Sequence, residues 1–243
     1  MILFCATVQL NFAAREVAIK LVYYGPALSG KTTNLQALHR LTHEASRGRL
    51  MTLDTKDDRT LFFDMLPLVF KAESESGGMS LRVKVFTVPG QVVHTSTRRL
   101  VLQGADGVAF IADSQTSETE NNAASFLDLR ENLKELGRSM KDVPLVIQFN
   151  KRDLRNVRSD AEIDELARRG KEPVYKASAV NGQGVLESFF GLLDRSWRKL
   201  DAEHDLTQKL GLEPNAFLDK AAASLGYAGK ARSLRDACVG ASP

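Results

Sequence analysis

The sequence predicts an α/β fold: a mainly parallel central sheet with helices on both faces. Three observations predict it. Short apolar runs rich in β-branched and aromatic residues recur along the chain, stretches with helical periodicity separate them, and the first run leads straight into a glycine-bearing turn. Continuous rather than alternating apolarity marks strands covered on both faces, as in parallel sheets. Strand–helix alternation then gives a doubly wound sheet whose ligands bind at the carboxyl ends of the strands.

The strands are read at residues 17–24, 81–88, 107–112, 143–149 and 174–177, and the helices at 31–45, 117–136, 160–169 and 185–200. Within the second helix, Phe126, Leu129 and Leu133 recur at spacings of three and four, which line one helix face. Residues 72–80 (Ala-Glu-Ser-Glu-Ser-Gly-Gly-Met-Ser) separate two strand-like runs and read as a hairpin loop. Residues 201–243 are broken at Gly211, Pro214, Gly226 and Gly229, and their alanines predict short helices forming a peripheral cap or a loose tail. The expected organisation is an N-terminal extension over 1–8, a nucleotide-binding domain over 9–200 and a C-terminal extension over 201–243, in short helices or partly disordered.

Composition narrows the class. The chain has 243 residues, 43% apolar and 26% charged, which suits one large domain, or one ordinary domain with an appendage. A net charge of +3 is too balanced for a nucleic-acid binder that works by phosphate neutralisation. Cys5 and Cys238, at opposite ends, exclude a disulfide framework and a cysteine zinc site, and point to a reducing cytoplasm. No apolar run reaches the ~18–20 residues that span a bilayer. The apolar start lacks a basic n-region, so no secretory signal is read there, and translation beginning nearer Val8 fits it as well. The 201–243 segment carries six acids and five bases, so it is no polybasic tether, and Cys238 is not placed for prenylation. A direct membrane anchor is therefore not expected.

Gly25-Pro26-Ala27-Leu28-Ser29-Gly30-Lys31-Thr32-Thr33 follows the first strand and fits G-x-x-x-x-G-K-[ST]. Its glycines permit a tight loop whose backbone N–H groups cradle phosphate oxygens. Lys31 supplies a cation to the β/γ-phosphates and Thr32 a hydroxyl to Mg²⁺. The following helix adds its N-terminal dipole. The base is read elsewhere. Asn150-Lys151-Arg152-Asp153 stands at the carboxyl end of the strand over 143–149. The Asp153 carboxylate can accept the ring N–H and the exocyclic amine of guanine, whereas adenine would leave it unpaired. Lys151 can lie along the base plane while Asn150 braces the loop. Ser178-Ala179-Val180, after the strand over 174–177, fits a second base-edge loop that offers a backbone N–H to the guanine carbonyl.

These residues resemble the small Ras-like GTPases and, more closely, the MglA family of bacterial gliding-motility and cell-polarity GTPases. The carriers are Val22-Tyr23-Tyr24-Gly25-Pro26, Gly30-Lys31-Thr32-Thr33-Asn34-Leu35-Gln36, Asp58-Arg59-Thr60-Leu61-Phe62-Phe63-Asp64, Thr87-Val88-Pro89-Gly90-Gln91 and Gln148-Phe149-Asn150-Lys151-Arg152-Asp153-Leu154. The likeness covers roughly residues 9–200 and implies a P-loop G domain that binds GTP or GDP with Mg²⁺. It implies that Thr60 reaches Mg²⁺ and the γ-phosphate, that Arg59 is a built-in arginine finger, that Gln91 orients the attacking water and that Gly90 lies at the nucleotide. Thr87 stands where many Ras-like proteins carry Asp, so magnesium ligation is expected from Thr32, Thr60 and phosphate oxygens. The family also implies a roadblock-type activating partner (MglB) and effectors of polarity or motility.

One departure bears on turnover. The family's loop begins Gly-Pro-Gly-Leu, whereas this chain has Ala27 at the third position. A Cβ there can crowd the transition state without blocking nucleotide binding. Two readings follow: a slow GTPase switch, or a GTP-dependent binding module that hardly hydrolyses. A P-loop kinase or ATPase is the third, disfavoured by Asp153.

Overall fold

The computed structural model describes residues 9–11, 15–53, 63–72, 78–90, 95–210 and 214–239. Its strands are β1 (Gln9–Asn11), β2 (Glu16–Tyr24), β3 (Met51–Leu53), β4 (Phe63–Ala72), β5 (Met79–Thr87), β6 (Gly107–Asp113), β7 (Leu145–Asn150) and β8 (Val174–Lys176). The helices are α1 (Lys31–Leu41), α2 (Thr95–Leu102), α3 (Thr119–Glu135), α4 (Asp160–Arg169), α5 (Val185–His204), α6 (Leu206–Leu210), α7 (Pro214–Ser224) and α8 (Ala231–Arg235). One sheet runs in the order β3-β4-β5-β2-β6-β7-β8, with β1 paired to the start of β2. The pairs β2–β5, β2–β6, β6–β7 and β7–β8 are parallel, and β1–β2, β3–β4 and β4–β5 are antiparallel. The expected mainly parallel α/β sheet is therefore present, with helices on both faces.

Burial follows from that layering. All seven residues of β6 are buried, because helices cover both its faces. Along it Ala109 and Ile111 join the core under α1 and α5, while Val108, Phe110 and Ala112 join the core under α2, α3 and α4. β2 alternates at its start and is buried throughout from Leu21, where it gains β6 as a neighbour. The β4–β5 pairing ends at Ala72↔Met79, so a hairpin joins two strands here, although residues 73–77 lie outside the described residues.

Several element ends differ from the sequence reading, each for a local reason. α1 stops at Leu41 rather than 45, because the Thr42 amide and hydroxyl both donate to the Leu38 carbonyl, at 3.1 and 2.6 Å, and the chain turns extended. β7 starts at Leu145 rather than 143. Pro144 has no N–H for the ladder, though its carbonyl accepts from Val108 at 2.8 Å. α3 starts at Thr119, after a single 3₁₀ turn over Thr116–Glu118. α5 continues to His204, where Asp205 ends it in the left-handed region (φ 55°).

The largest difference lies beyond α5. A loose tail or peripheral cap would leave its apolar residues half-exposed, yet Leu206, Phe217, Leu218, Ala221, Ala222, Leu225, Ala231 and Leu234 are buried in the same core as α1 and α5. Phe217 stacks on Trp197 of α5, with ring centroids 5.1 Å apart and planes at 26°. The Ser224 carbonyl accepts from the His43 amide at 3.2 Å, and Val239 makes an antiparallel bridge to Val174 on the edge strand. Among the described residues no helix is long and apolar enough to cross a membrane.

Candidate functional site

The turn between β2 and α1 is shaped by two glycines and by what lies behind them. Gly25 (φ 148°) and Gly30 (φ 94°) adopt backbone that L side chains rarely reach. A Cβ on Gly25 would fall 2.2 Å from the Ile111 carbonyl oxygen, and one on Gly30 would fall 2.2 Å from Asn150 Nδ2. Leu28 is left-handed without being glycine (φ 60°), a conformation that costs on the order of 1 kcal/mol, and its side chain is 88% exposed. Lys31 is buried, and its ammonium donates to the carbonyls of Gly25 at 3.0 Å and Pro26 at 2.6 Å. Burial, with the Arg98 charge adding to it, pushes Lys31 down to about 8. The Ser29 hydroxyl is buried without a hydrogen-bond partner.

A cavity of about 440 Å³ opens in front of this turn, bounded by Ala27, Lys31, Thr32 and Thr33 on one side and by Thr52, Asp64, Thr87 and Gly90 on the other. Asp64, at the start of β4, is its node. Its carboxylate accepts from the hydroxyls of Thr32 at 2.6 Å, Thr52 at 2.8 Å and Thr87 at 3.3 Å. Its own amide donates to Thr87 Oγ1 at 2.9 Å. The sheet explains the meeting: Asp64 pairs with Thr52 in the β3–β4 register, and Thr87 ends the neighbouring strand β5.

The second half of the site stands at the ends of β7 and β8. Asn150 Nδ2 donates to the Ser29 carbonyl and its Oδ1 accepts from the Ala179 amide, both at 2.9 Å, so one side chain ties three turns together. Lys151 is left-handed (φ 67°) and pairs with buried Asp113 at 2.6 Å. Asp153 is exposed; one of its oxygens accepts from the Ser178 hydroxyl at 2.5 Å, and Ser178 accepts from Asn181 Nδ2 at 3.0 Å. Val180 is 61% exposed beside this turn. Behind the wall, Gln148 joins Asn34 at 2.9 Å and Ser188 at 3.2 Å, linking β7, α1 and α5 without an orphaned amide.

A third cluster connects α2 to the rest. Arg98, nearly fully buried, donates to the Pro89 carbonyl at 3.2 Å and pairs with Asp128 of α3. Asp128 also accepts from the Tyr24 hydroxyl, which in turn accepts from Asn132 Nδ2 at 3.0 Å. Tyr24 directly precedes Gly25, and burial, with Asp128 adding to it, raises its phenol well above the usual range.

The structure thus brings Ala27, Leu28, Gly30, Lys31, Thr32, Thr33 and Gly90 around one cavity, with Gly25 and Ser29 in the turn behind it, and Asn150 ties that turn to the one at Ala179, near which Lys151, Asp153, Ser178 and Val180 stand. Arg59, Thr60 and Gln91 lie outside the described residues. Sequence reasoning missed Asp64, Asp113 and Arg98 as parts of the site. Asp64 had one available signal, a lone acid opening an otherwise apolar strand run. The residues present fit a magnesium-bound nucleoside phosphate: glycines whose Cβ atoms would clash, a buried ammonium, an orphaned serine hydroxyl, and hydroxyls gathered on one carboxylate. Hydroxyl and carboxylate oxygens are the donors a hard cation takes.

No protein-family model matches the chain. It is 45% identical over 179 residues to the mutual gliding-motility protein MglA of Myxococcus xanthus (strain DK1622), a match covering 74% of this chain and 90% of that protein. With that identity and extent, on an α/β sheet whose β2–α1 turn carries G-x-x-x-x-G-K-T, the chain belongs to the MglA family of small GTPases.

Proposed function

We propose that this protein is a guanine-nucleotide switch: it binds GTP or GDP with Mg²⁺ and slowly hydrolyses GTP. The nucleotide then sets which partners it binds. The observation that carries the reading is Asn150, whose two hydrogen bonds at 2.9 Å hold the phosphate turn and both base turns in one cradle at the strand ends. That is where open α/β sheets bind ligands.

In this reading the amides of the 25–33 turn and the Lys31 ammonium hold the β- and γ-phosphates. Thr32 would offer its hydroxyl oxygen to the cation while its O–H donates to Asp64 at 2.6 Å, so that Asp64 would support the metal site from behind, where Thr87 replaces the usual aspartate. Mg²⁺, if held there, would supply charge neutralisation to the phosphates. Asp153 accepts from the guanine edge, Lys151 lies along the ring, and the Ala179–Val180 backbone meets the carbonyl. Thr60 completes the cation's ligands, Gln91 aligns water for in-line attack, and Arg59 offsets charge developing on the leaving oxygen. Water adds to the γ-phosphorus, the bond to the bridging oxygen breaks with its electron pair left on GDP, the water's proton passes to the phosphate formed, and GDP and phosphate leave. Arg98 holds the Pro89 carbonyl at 3.2 Å and so fixes the backbone on the Gly90 side of the site.

The relative's name concerns gliding motility. For this chain we place the switch in the cytoplasm, acting on polarity or motility effectors under a roadblock-type activator. A second reading, a GTP-bound module with little hydrolysis, is favoured by Ala27 alone. Single-turnover hydrolysis of pre-bound GTP separates the two: release of phosphate supports the switch, and its absence even with activator supports the module. Binding of GTP, ATP and xanthosine triphosphate to the Asp153→Asn protein tests the base assignment. Loss of GTP affinity is expected, and unchanged GTP affinity overturns it.

A further inference from the structure

The C-terminal helices build a second concavity that the nucleotide reading does not use. It is a groove of about 690 Å³ between α5, the edge strand β8 and α8. Arg195 and Arg198 on α5 and Arg232 and Arg235 on α8 all line it. Residues three apart share a helix face, so each helix turns an arginine pair to the same groove. Two carboxylates stand among them. Asp194, almost fully buried, holds Arg198 Nε at 2.8 Å and Arg235 Nη1 at 3.7 Å. Asp236 holds Arg235 Nε at 2.7 Å and Arg232 Nε at 3.2 Å.

The charges do not close. Four guanidinium groups share two carboxylates, and Arg195 has no carboxylate partner among the described residues. Arg198 and Arg232 are engaged through Nε, so neither has its Nη groups on a carboxylate. Packing of α8 on α5 gathers these four guanidinium groups into one solvent-open concavity, where an anion would add to the partial compensation that Asp194 and Asp236 give. Guanidinium forks match phosphate oxygens in pairs. The volume falls within the ~300–1,000 Å³ usual for small-molecule pockets. The groove is also separate from the cavity at the β2–α1 turn, with which it shares no lining residue.

We propose that this groove binds a phosphorylated small molecule, with Arg195 as the residue whose charge is free for it. The shared chemistry, a dianionic phosphate, also occurs on lipid headgroups, and the test separates the two sources. With GDP and Mg²⁺ saturating, the full chain is titrated calorimetrically with fructose 1,6-bisphosphate and with fructose, and sedimented with phosphatidylcholine vesicles with and without phosphatidic acid. The expected result is one-site binding of the bisphosphate and not of fructose, weakened at least tenfold by Arg195→Glu. Arg195 is exposed and holds no ion pair among the described residues, so that change is expected to spare the fold, and Arg232→Ala serves as the second variant. GDP affinity stays unchanged in both. Sedimentation only with phosphatidic acid, lost in the same variants, upholds the phosphate site and assigns it to a headgroup. Absence of both kinds of binding, or binding that neither variant alters, overturns the proposal.

Discussion

The backbone of Ala27 lies directly against Gly90: a Cβ on Gly90 would fall 2.3 Å from Ala27 Cα, 2.6 Å from its nitrogen and 3.0 Å from its Cβ. The turn after β2 and Gly90 therefore touch at Ala27, the position where the resemblance to the family implies glycine. Ala27→Gly is expected to raise single-turnover GTP hydrolysis several-fold with GTP and GDP affinity little changed, since a displaced water or donor in such a site costs ~1–4 kcal/mol of barrier. Gly90→Ala should do the opposite, forcing the two segments apart and lowering stability by about 1–3 kcal/mol. If Ala27→Gly hydrolyses no faster, with or without an activator, the methyl is neutral.

Asp64 collects three hydroxyls that no neutral amide can replace, because Asn offers one accepting oxygen where the carboxylate offers two. Asp64→Asn should raise the Mg²⁺ concentration needed to retain nucleotide by about 10- to 100-fold, the usual loss when a group supporting a metal ligand is removed. Release of a fluorescent GDP analogue, followed while Mg²⁺ is titrated, measures it. An unchanged midpoint would detach Asp64 from the metal site.

Lys31 carries a pH dependence whose sign is determined. Its value in the free protein is about 8, below the ordinary 10.5, so above pH 8 it is increasingly neutral. A polyphosphate favours the charged form, so binding takes up a proton in that range and affinity falls as pH rises through 8. Calorimetry in buffers of different ionisation enthalpy should find little uptake near pH 7 and a substantially larger uptake as pH rises past 8. The unfolded chain also binds more protons between 8 and 10.5, so stability of the free protein should rise with pH across that window.

The Arg98–Asp128 pair should be costly to break from one side. Asp128→Ala leaves a nearly buried guanidinium without its carboxylate, a change worth about 3–5 kcal/mol for fully buried pairs. Asp128 retains 27% side-chain exposure, so about 2–3 kcal/mol is expected. Urea unfolding measures the loss. Removing both members together, as Arg98→Met with Asp128→Leu, should cost less than the single change, and an equal cost would mean the pair is not coupled.

What the sequence revealed and concealed follows from range. The central strands and the turns at 25–33 and 150–153 are written locally, in continuous apolarity and in glycines that a tight turn requires. Asp64 is not, because its role exists only where the β3–β4 register and the end of β5 set three threonines around one carboxylate. Arg98 likewise reads as one of two adjacent arginines until α3 supplies Asp128. The 201–243 segment was legible in part: its alanines predict short helices, which α6, α7 and α8 are, but with single Phe217 and Leu218 they look too sparse for helices buried in the main core. Small residues are what let α7 approach α5 and β4 closely enough to be buried.

Trp197 is the chain's sole tryptophan, and Phe217 stacked on it belongs to the C-terminal helices. Intrinsic fluorescence of the unlabelled protein is therefore a reading of one junction, where those helices meet α5. Phe217→Ala should cost about 3–5 kcal/mol and shift the emission to the red as water reaches the indole. Detachment of the C-terminal helices before global unfolding would show as that red shift preceding loss of far-ultraviolet ellipticity. A fluorophore on the guanine nucleotide reports the other end of the sheet, so two colours in one cuvette can follow the two ends independently.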